Sequence, residues 1–118
     1  MDVRWHPSAL EERDAIADRA ERAAIQNVVE KLEVMGIALR YPHSSDVRGT
    51  KKSKHGKKQT LRELRPRQGR SPWRLLYRRV EDVMVIAAVA PDGETDPGAY
   101  DDAVTRAQDR LAALEETR

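Results

Sequence analysis

Residues 73–90 read WRLLYRRVEDVMVIAAVA and contain the most strand-like sequence of the chain. The runs WRLLYRRV and VMVIAAVA are rich in the β-branched, aromatic and other apolar residues that favour strands. A short acidic stretch, EDV or RVED, separates them and has the length that a tight turn needs. We therefore predict an antiparallel hairpin of two strands.

The N-terminal residues predict a short strand followed by helices. Residues 3–5 (VRW) favour a strand, and Ser8 and Glu11 have the spacing of a capping box, in which each side chain binds a free backbone N–H group at a helix start. Asp18 and Glu21 repeat that spacing. The segment is therefore expected to form two helices with a bend near Asp18, or one continuous helix.

An apolar stripe with the 3.6-residue helical period follows and ends near Gly36, a residue type that commonly terminates helices. Charged residues occupy the other faces of the same helix, so the stripe is expected to face the core. Its members are Ile25, Val28, Val29, Leu32 and Met35.

The rest of the chain predicts two loops, a strand and a helix. Residues 40–59 are rich in Pro, Ser, Gly and Lys and are expected to form a mobile loop, with a flexible basic part around residues 48–60. Residues 60–67 (TLRELRPR) favour a strand. Residues 91–98 (PDGETDPG) favour a loop, and residues 99–114 have apolar residues at helical spacing.

The predicted order is therefore strand, one or two helices, three strands and a helix. This order is typical of the α+β class, here a small antiparallel sheet with N-terminal helices and a C-terminal helix that cover one of its faces. The chain has 118 residues and no internal repeat, so we expect a single domain over residues 1–118.

Positive charge is concentrated in residues 48–79, which hold thirteen Lys and Arg residues against one acid, Glu63. The segment carries a charge of +12 in a chain whose net charge is +2, so the other residues carry −10. Such a block needs solvent, an unfolded stretch or a polyanionic partner to offset its self-repulsion. Because Trp73 and Tyr77 are interleaved with the cations, we favour nucleic acid as that partner.

The composition argues against several other kinds of site. The chain has no cysteine, and its three histidines are too dispersed for a zinc site, so we expect neither a metal nor another cofactor. The longest apolar run, residues 83–90, is too short to cross a bilayer, and the N-terminus lacks the apolar region of an export signal. We therefore expect a cytoplasmic protein without a membrane partner.

The pattern YPHSSDVRG, then LRELRPR, a glycine, WRLLYRR, an apolar strand and a C-terminal helix resembles the RelE/ParE superfamily of bacterial toxins. Within it the chain is most similar to the HigB-like, phage-derived branch. The resemblance implies a RelE-like fold, a type II toxin and a cognate antitoxin of the helix-turn-helix type as protein partner. It also implies metal-free cleavage of messenger RNA on the ribosome, an mRNA interferase activity that inhibits translation.

The resemblance also places Arg74 beside the scissile phosphate as a catalytic residue. Arginine suits this position because its planar fork grips phosphate oxygens and keeps its charge while the phosphorane forms. Arg65, on the neighbouring strand, is predicted to be a second catalytic phosphate clamp. Glu63 shares a face with Arg65 on a regular strand, so an ion pair within the fold is the alternative for Arg65.

Other residues are predicted to contact RNA. Tyr77 offers a ring for base stacking or for core packing, and His55 offers a proton-transferring imidazole or an idle surface side chain. Basic side chains contact the phosphate backbone without reading the sequence. The predicted backbone contacts are Lys57, Lys58, Arg67 and Arg70, and the alternative for each of them is a side chain of a solvated loop.

Two features depart from the family pattern. Asp92 and Glu94 follow the apolar strand where the family has a basic segment with a residue needed for cleavage. Glu63 likewise stands where a functional lysine is expected. These departures keep two alternatives open: a gyrase-directed, ParE-like poison, and a noncatalytic module that binds RNA or the antitoxin.

Overall fold

The computed structural model describes residues 1–47 and 61–116, and the predicted α+β class is confirmed. Within these ranges no helix is both long enough and apolar enough to span a membrane. The elements are β1 Asp2–Trp5, α1 Pro7–Asp14, α2 Arg19–Met35, β2 Ser44–Asp46, β3 Arg62–Leu64, β4 Trp73–Val80, β5 Val83–Pro91 and α3 Pro97–Glu116.

The predicted hairpin lies at the centre of the sheet, whose strand order is β1-β5-β4-β3-β2. Strands β4 and β5 pair antiparallel, with Trp73 opposite Pro91 and Val80 opposite Val83, and β3 and β2 continue the antiparallel part. Strand β1 pairs with β5 in parallel, so the sheet is mixed and the prediction of an antiparallel sheet is wrong at this edge. Parallel pairing needs a long crossover, which the two helices and three strands between β1 and β5 provide.

Residues Ser44–Asp46, expected within a mobile loop, form the edge strand β2. Serine and aspartate have little intrinsic preference for strands. The strand forms because Ser44 lies opposite Leu64 and Asp46 lies opposite Arg62 on β3. Pairing with a neighbouring strand therefore overrides local propensity at this position.

The helices cover both faces of the sheet, which corrects the expectation that they share one face. Helix α2 packs on one face, where Ile25 and Leu32 join a core cluster with Ile86 of β5. Helix α3 packs on the other face, where Ala107 joins a second cluster with Ala88 of β5. Successive side chains of a strand point to opposite faces, so an almost wholly apolar β5 can be buried on both.

At α2 the capping role of Asp18 is confirmed, although the Glu21 side chain accepts a hydrogen bond from Ser71 instead of completing a capping box; at α1 the predicted cap is wrong. The Asp18 carboxylate accepts hydrogen bonds from the N–H groups of Ala20 (2.8 Å) and Glu21 (3.2 Å), so the two-helix alternative is the correct one. Ser8 does not cap α1, because His6 is the cap and its Nδ1 accepts a hydrogen bond from the Ser8 N–H group at 3.1 Å.

Helix α2 ends at Gly36, as predicted, with a φ of 54° that glycine adopts without strain. Met35, expected in the core, is 48% exposed, so the last turn of α2 presents an apolar side chain to solvent. The other members of the predicted stripe are buried: Ile25, Val28, Val29 and Leu32.

An ion pair between α1 and α3 closes the edge of β5 beyond the end of β1. The Glu12 carboxylate accepts a hydrogen bond from the Val89 N–H group at 3.0 Å, and the Arg110 side chain donates a hydrogen bond to the Ala87 carbonyl at 2.8 Å. Two hydrogen bonds, 3.1 and 2.9 Å long, join the Glu12 and Arg110 side chains. The pair therefore supplies hydrogen bonds that another strand would supply and leaves less of this edge open to pairing.

The pKa of Glu12 lies below its usual value. Burial of the carboxyl group acts to raise the pKa, but hydrogen bonds from Arg110 and the Val89 amide outweigh that effect. The charges of Arg110 and Arg106 act in the same direction as the hydrogen bonds. The folded state therefore favours the ionised form of Glu12.

Replacing Glu12 by glutamine is expected to lower the free energy of unfolding at pH 7 by about 1.5 kcal/mol, because charged hydrogen bonds at a partly exposed site are lost. The contribution is complete above the unfolded pKa of about 4.5 and disappears as the pH falls through the lower folded pKa. Urea unfolding of the wild type and the variant across this pH range measures it. A stability difference that does not change with pH would contradict the assignment.

Candidate nucleic-acid interface

Residues 65–70, here called the basic turn, connect β3 to β4 and carry three arginines. Arg67 and Gln68 have positive φ angles of 54° and 59°, and Gly69 has a φ of 92°. The backbone angle favours glycine, and a Cβ atom at this position would lie 2.6 Å from Nη2 of Arg65 and displace that side chain. The tight path keeps the three arginines close together.

The basic turn and α2 form the two walls of a groove of about 1010 Å³, here called the basic groove. The predicted catalytic clamp Arg65 and the predicted RNA contacts Arg67 and Arg70 all line it, and Lys31 faces them from α2. Against these four cations, Glu30 is the one carboxylate in the described lining. Two of the four cations, Arg65 and Arg67, also pair with Glu63 and Glu21 behind the lining, which leaves a small excess of positive charge for a phosphate backbone.

A buried carboxylate attaches the basic turn to α2. Glu21 is 7% exposed, and its Oε2 accepts a hydrogen bond from the Ser71 hydroxyl at 3.0 Å. Its Oε1 lies 3.4 Å from Nε of Arg67, whose side chain is still 47% exposed. Glu21 is in the first turn of α2, where the helix dipole also favours a negative charge. The carboxylate therefore positions Arg67 while leaving it open to a ligand.

Arg74, the predicted catalytic arginine, lies beneath the basic turn and is 7% exposed. Its Nη1 donates to the carbonyls of Ser71 (2.7 Å) and Trp73 (2.8 Å), and its Nη2 donates to the carbonyl of Gly69 (3.1 Å). Its Nε lies 3.5 Å from Glu63. Arg74 thus holds the backbone of the turn, and a phosphate would reach it only by exchanging some of these contacts.

Glu63 pairs with both predicted catalytic arginines. Its ion pair with Arg65 is the alternative role that the sequence offered for that residue. Its carboxylate lies 3.4 Å from Arg65 and 3.5 Å from Arg74, and it accepts hydrogen bonds from the hydroxyls of Ser45 (3.1 Å) and Tyr100 (3.3 Å).

The pKa values of two neighbours of Glu63 are shifted. Burial is the main cause that lowers the pKa of Arg74, and the positive charge of Arg65 acts in the same direction, whereas the negative charge of Glu63 favours the charged form of Arg74. Burial and Glu63 raise the pKa of Tyr100 well above its usual value, so this hydroxyl keeps its proton.

Tyr77, predicted as a stacking surface for a base or as core, is 2% exposed in the core. Its hydroxyl lies 2.6 Å from Oγ of Ser44 and accepts a hydrogen bond from Nε of Arg62 at 3.3 Å. A base could stack on this ring only by displacing core side chains, so the ring is not included in the interface. Three other predicted contacts lie outside the described residues: His55, Lys57 and Lys58.

The acidic segment after β5 forms contacts within its own loop. Asp92 accepts hydrogen bonds from the N–H groups of Glu94 (3.0 Å) and Thr95 (2.9 Å) and from the Thr95 hydroxyl (2.7 Å). Burial alone would raise the pKa of Asp92, but these bonds lower it. Asp92 therefore stabilises the loop before α3 and is not part of the lining of the basic groove.

Two residues of the groove, Lys31 and His43, are absent from the sequence-based prediction. The Arg65 N–H group donates to the His43 carbonyl at 2.8 Å, which places His43 at the Arg65 end of the groove. The Tyr41 ring lies 5.2 Å from the guanidinium carbon of Arg65 at the same end. No local pattern in the sequence connects these residues, because the fold brings together α2, the segment before β2 and the basic turn.

No protein-family model matches the chain, and no curated protein is significantly similar to it. Within residues 1–47 and 61–116, no group of three or more His, Asp or Glu side chains is placed to hold a metal ion. Function is therefore inferred from the basic groove and from the sequence pattern.

Replacing Arg74 by alanine is expected to lower the free energy of unfolding by roughly 3–5 kcal/mol, because Glu63 loses a buried partner and three carbonyls lose a donor. Arg70→Ala is the control, since Arg70 is exposed in the same turn, and it should cost less than about 1 kcal/mol. Urea unfolding compares both variants with the wild type. Equal stability of the two variants would contradict the role given to Arg74.

Proposed function

We propose that the chain is the toxin of a type II toxin–antitoxin pair and that its basic groove binds messenger RNA on the ribosome, where the RNA is cleaved without a metal ion. The observation that carries this proposal is the convergence of Arg65, Arg67 and Arg70 on one groove. The resemblance of the sequence to the RelE/ParE superfamily supports it. On this proposal the protein acts in the cytoplasm, and its protein partner is a cognate antitoxin of the helix-turn-helix type.

The groove offers pre-positioned cations to an RNA backbone. Two carboxylates hold arginines of the groove from behind: the buried Glu21 lies at Arg67, and the partly buried Glu63 lies at Arg65. An arginine can bind two phosphate oxygens at once, and a side chain that is already positioned loses less conformational freedom on binding. Lys31 adds a charge from the facing wall. These contacts position RNA without reading its sequence.

Cleavage would require the ribose 2′-hydroxyl to lose a proton and the charge on the phosphorane to be stabilised. His43 is the groove residue best suited to the first task, because a neutral imidazole has a ring nitrogen that accepts a proton. Arg65 and Arg67 are suited to the second. In this step His43 accepts the hydroxyl proton, the 2′ oxygen bonds to phosphorus, and the 5′ oxygen departs with a proton from solvent. The products are a 2′,3′-cyclic phosphate and a 5′-hydroxyl.

A protein that binds RNA without cutting it is the second candidate, and one observation favours it. The residue that the resemblance places at the scissile phosphate, Arg74, is buried and already bonded to three carbonyls. Binding through the groove needs the exposed arginines alone, whereas cleavage by the family pattern needs Arg74 to reach the phosphate. The two candidates share the groove and differ in the covalent outcome.

Exchanging both Arg67 and Arg70 for glutamine is expected to weaken binding of a single-stranded RNA oligonucleotide. The exchange should also make the plot of the logarithm of the observed association constant against the logarithm of the salt concentration less steep. The magnitude of its slope should fall by about 1.4, because each lost phosphate contact removes about 0.7. Fluorescence anisotropy of a labelled oligonucleotide over a series of salt concentrations measures both quantities.

The matched control exchanges Arg4 and Arg79 for glutamine and so removes the same charge. Arg4 is exposed on β1, and Arg79 is 49% exposed near the β4–β5 hairpin turn, both away from the groove lining. The control should keep the affinity and the salt slope of the wild type. Equal losses in the two double variants would mean that binding follows net charge alone, and the groove assignment would be wrong.

A further inference from the structure

Strand β1 has one backbone edge that no other strand of the sheet covers. It stands last in the strand order and pairs only with β5. The His6 N–H group donates to the Ile86 carbonyl at 2.9 Å, and Arg4, two residues earlier, faces β5 in the same way. Because backbone groups alternate along a strand, the N–H and C=O groups of Val3 and Trp5 point away from β5. Within residues 1–47 and 61–116, no hydrogen bond is made to these outward groups.

The open edge of β1 lacks the usual protection against pairing. Beyond the end of β1, the Glu12 and Arg110 side chains bond backbone groups of β5 and close that part of the edge. Edge strands that stay unpaired commonly carry like charges or a proline. Strand β1 instead carries one acid, Asp2, and one base, Arg4, and it contains no proline. An edge of this kind does not repel a second copy of itself.

The charges of β1 specify one register for two paired copies. Asp2 and Arg4 are exposed and project from the same face, because side chains two residues apart share a face of a strand. In the described part of the chain, neither side chain has an ion-pair partner. When two β1 strands pair antiparallel about Val3, Asp2 of each copy lies opposite Arg4 of the other. Pairing about Trp5 would instead place Arg4 opposite His6 and leave Asp2 without a partner.

The register about Val3 also satisfies the outward backbone groups and covers apolar surface. The Val3 N–H and C=O groups of the two copies bond each other, and the Trp5 N–H group of each copy meets the Met1 carbonyl of the other. The side chains of Val3 and Trp5 pack against the core on the α2 face but remain half-buried, and Met1 is 41% exposed. Pairing places these side chains beside those of the second copy, so the core continues across the interface.

We propose that two copies of this chain form a symmetric dimer in which their β1 strands pair antiparallel about Val3. The pairing joins the two five-stranded sheets into one continuous sheet. The two-fold axis runs perpendicular to that sheet, so α2 of both copies lies on the same face. No residue of β1 lines the basic groove, so the dimer neither uses nor blocks it. Dimer formation and RNA binding therefore succeed or fail independently.

Charge reversal tests the dimer and its register. Sedimentation equilibrium of the wild type, with any tag at its C-terminus and at up to about 500 µM, should show a species of twice the chain mass of 13.4 kDa. Asp2→Arg and Arg4→Asp should each weaken dimerisation about tenfold or more, because like charges then lie opposite each other. Glu94→Arg is the matched control, since Glu94 is exposed in the loop after β5 and lies beyond the part of β5 that β1 reaches. This control should dimerise as the wild type does.

A mixture of the two β1 variants distinguishes this interface from any other. Asp2→Arg and Arg4→Asp present opposite charges to each other at both positions, so a mixed dimer should form at concentrations where each variant alone is monomeric. A folding defect cannot produce this rescue, and circular dichroism checks that each variant is folded. A wild type that stays monomeric at the highest concentration would overturn the proposal. A dimer that tolerates both reversals, or a mixture that stays monomeric, would overturn it equally.

Discussion

The guanidinium group of Arg74 fixes the path of the chain between β3 and β4, and the basic groove depends on that path. The group donates to three carbonyls, those of Gly69, Ser71 and Trp73, and pairs with Glu63. Arginine is suited to this position because its donors form a rigid fork that stays charged when buried. The contacts satisfy the carbonyls of Gly69 and Ser71 before β4 and of Trp73 at its start, and they keep Arg65, Arg67 and Arg70 on the same wall.

Acidic residues behind the groove explain how so many cations share a small volume. Glu63 lies between Arg65 and Arg74, and Glu21 holds Arg67 against the start of α2. These carboxylates offset the mutual repulsion of the arginines and also keep their side chains in place before a ligand arrives. The concentration of positive charge in one part of the sequence is therefore compatible with a stable fold, and the outward-facing donors are left for a polyanion or an acidic protein segment.

The sequence predicts the elements whose signals are local. The β4–β5 hairpin, the start of α2 at Asp18 and its end at Gly36 all follow from residues that are neighbours in the chain. The ion pair of Glu63 with Arg65 is the alternative that the spacing of these two residues offers, whereas the pair of Glu63 with Arg74 is not predicted. Local patterns do not predict strand β2, because its serines pair only after β3 is in place. The placement of α3 on the second face depends likewise on contacts far along the chain.

The sequence does not predict that Arg74 is buried, because most arginines are exposed. Arg74 is buried because its guanidinium group donates to carbonyls of the connection between β3 and β4. Lys31 and His43 enter the groove from segments that no sequence spacing relates.

The most decisive measurement is a map of transcript 5′ ends in a bacterial host that expresses the wild type, Arg67→Gln/Arg70→Gln or His43→Gln, with translation running or blocked. Arg74 is unsuitable for this test, because its replacement is expected to destabilise the fold and would lower activity whatever its chemical role. The wild type should produce new 5′ ends inside translated frames only while ribosomes run. Those ends should disappear in both variants, and His43→Gln should still bind RNA. Growth arrest without new 5′ ends would contradict the nuclease and move the target to a protein such as gyrase. New ends that persist in Arg67→Gln/Arg70→Gln would contradict the role of the basic groove.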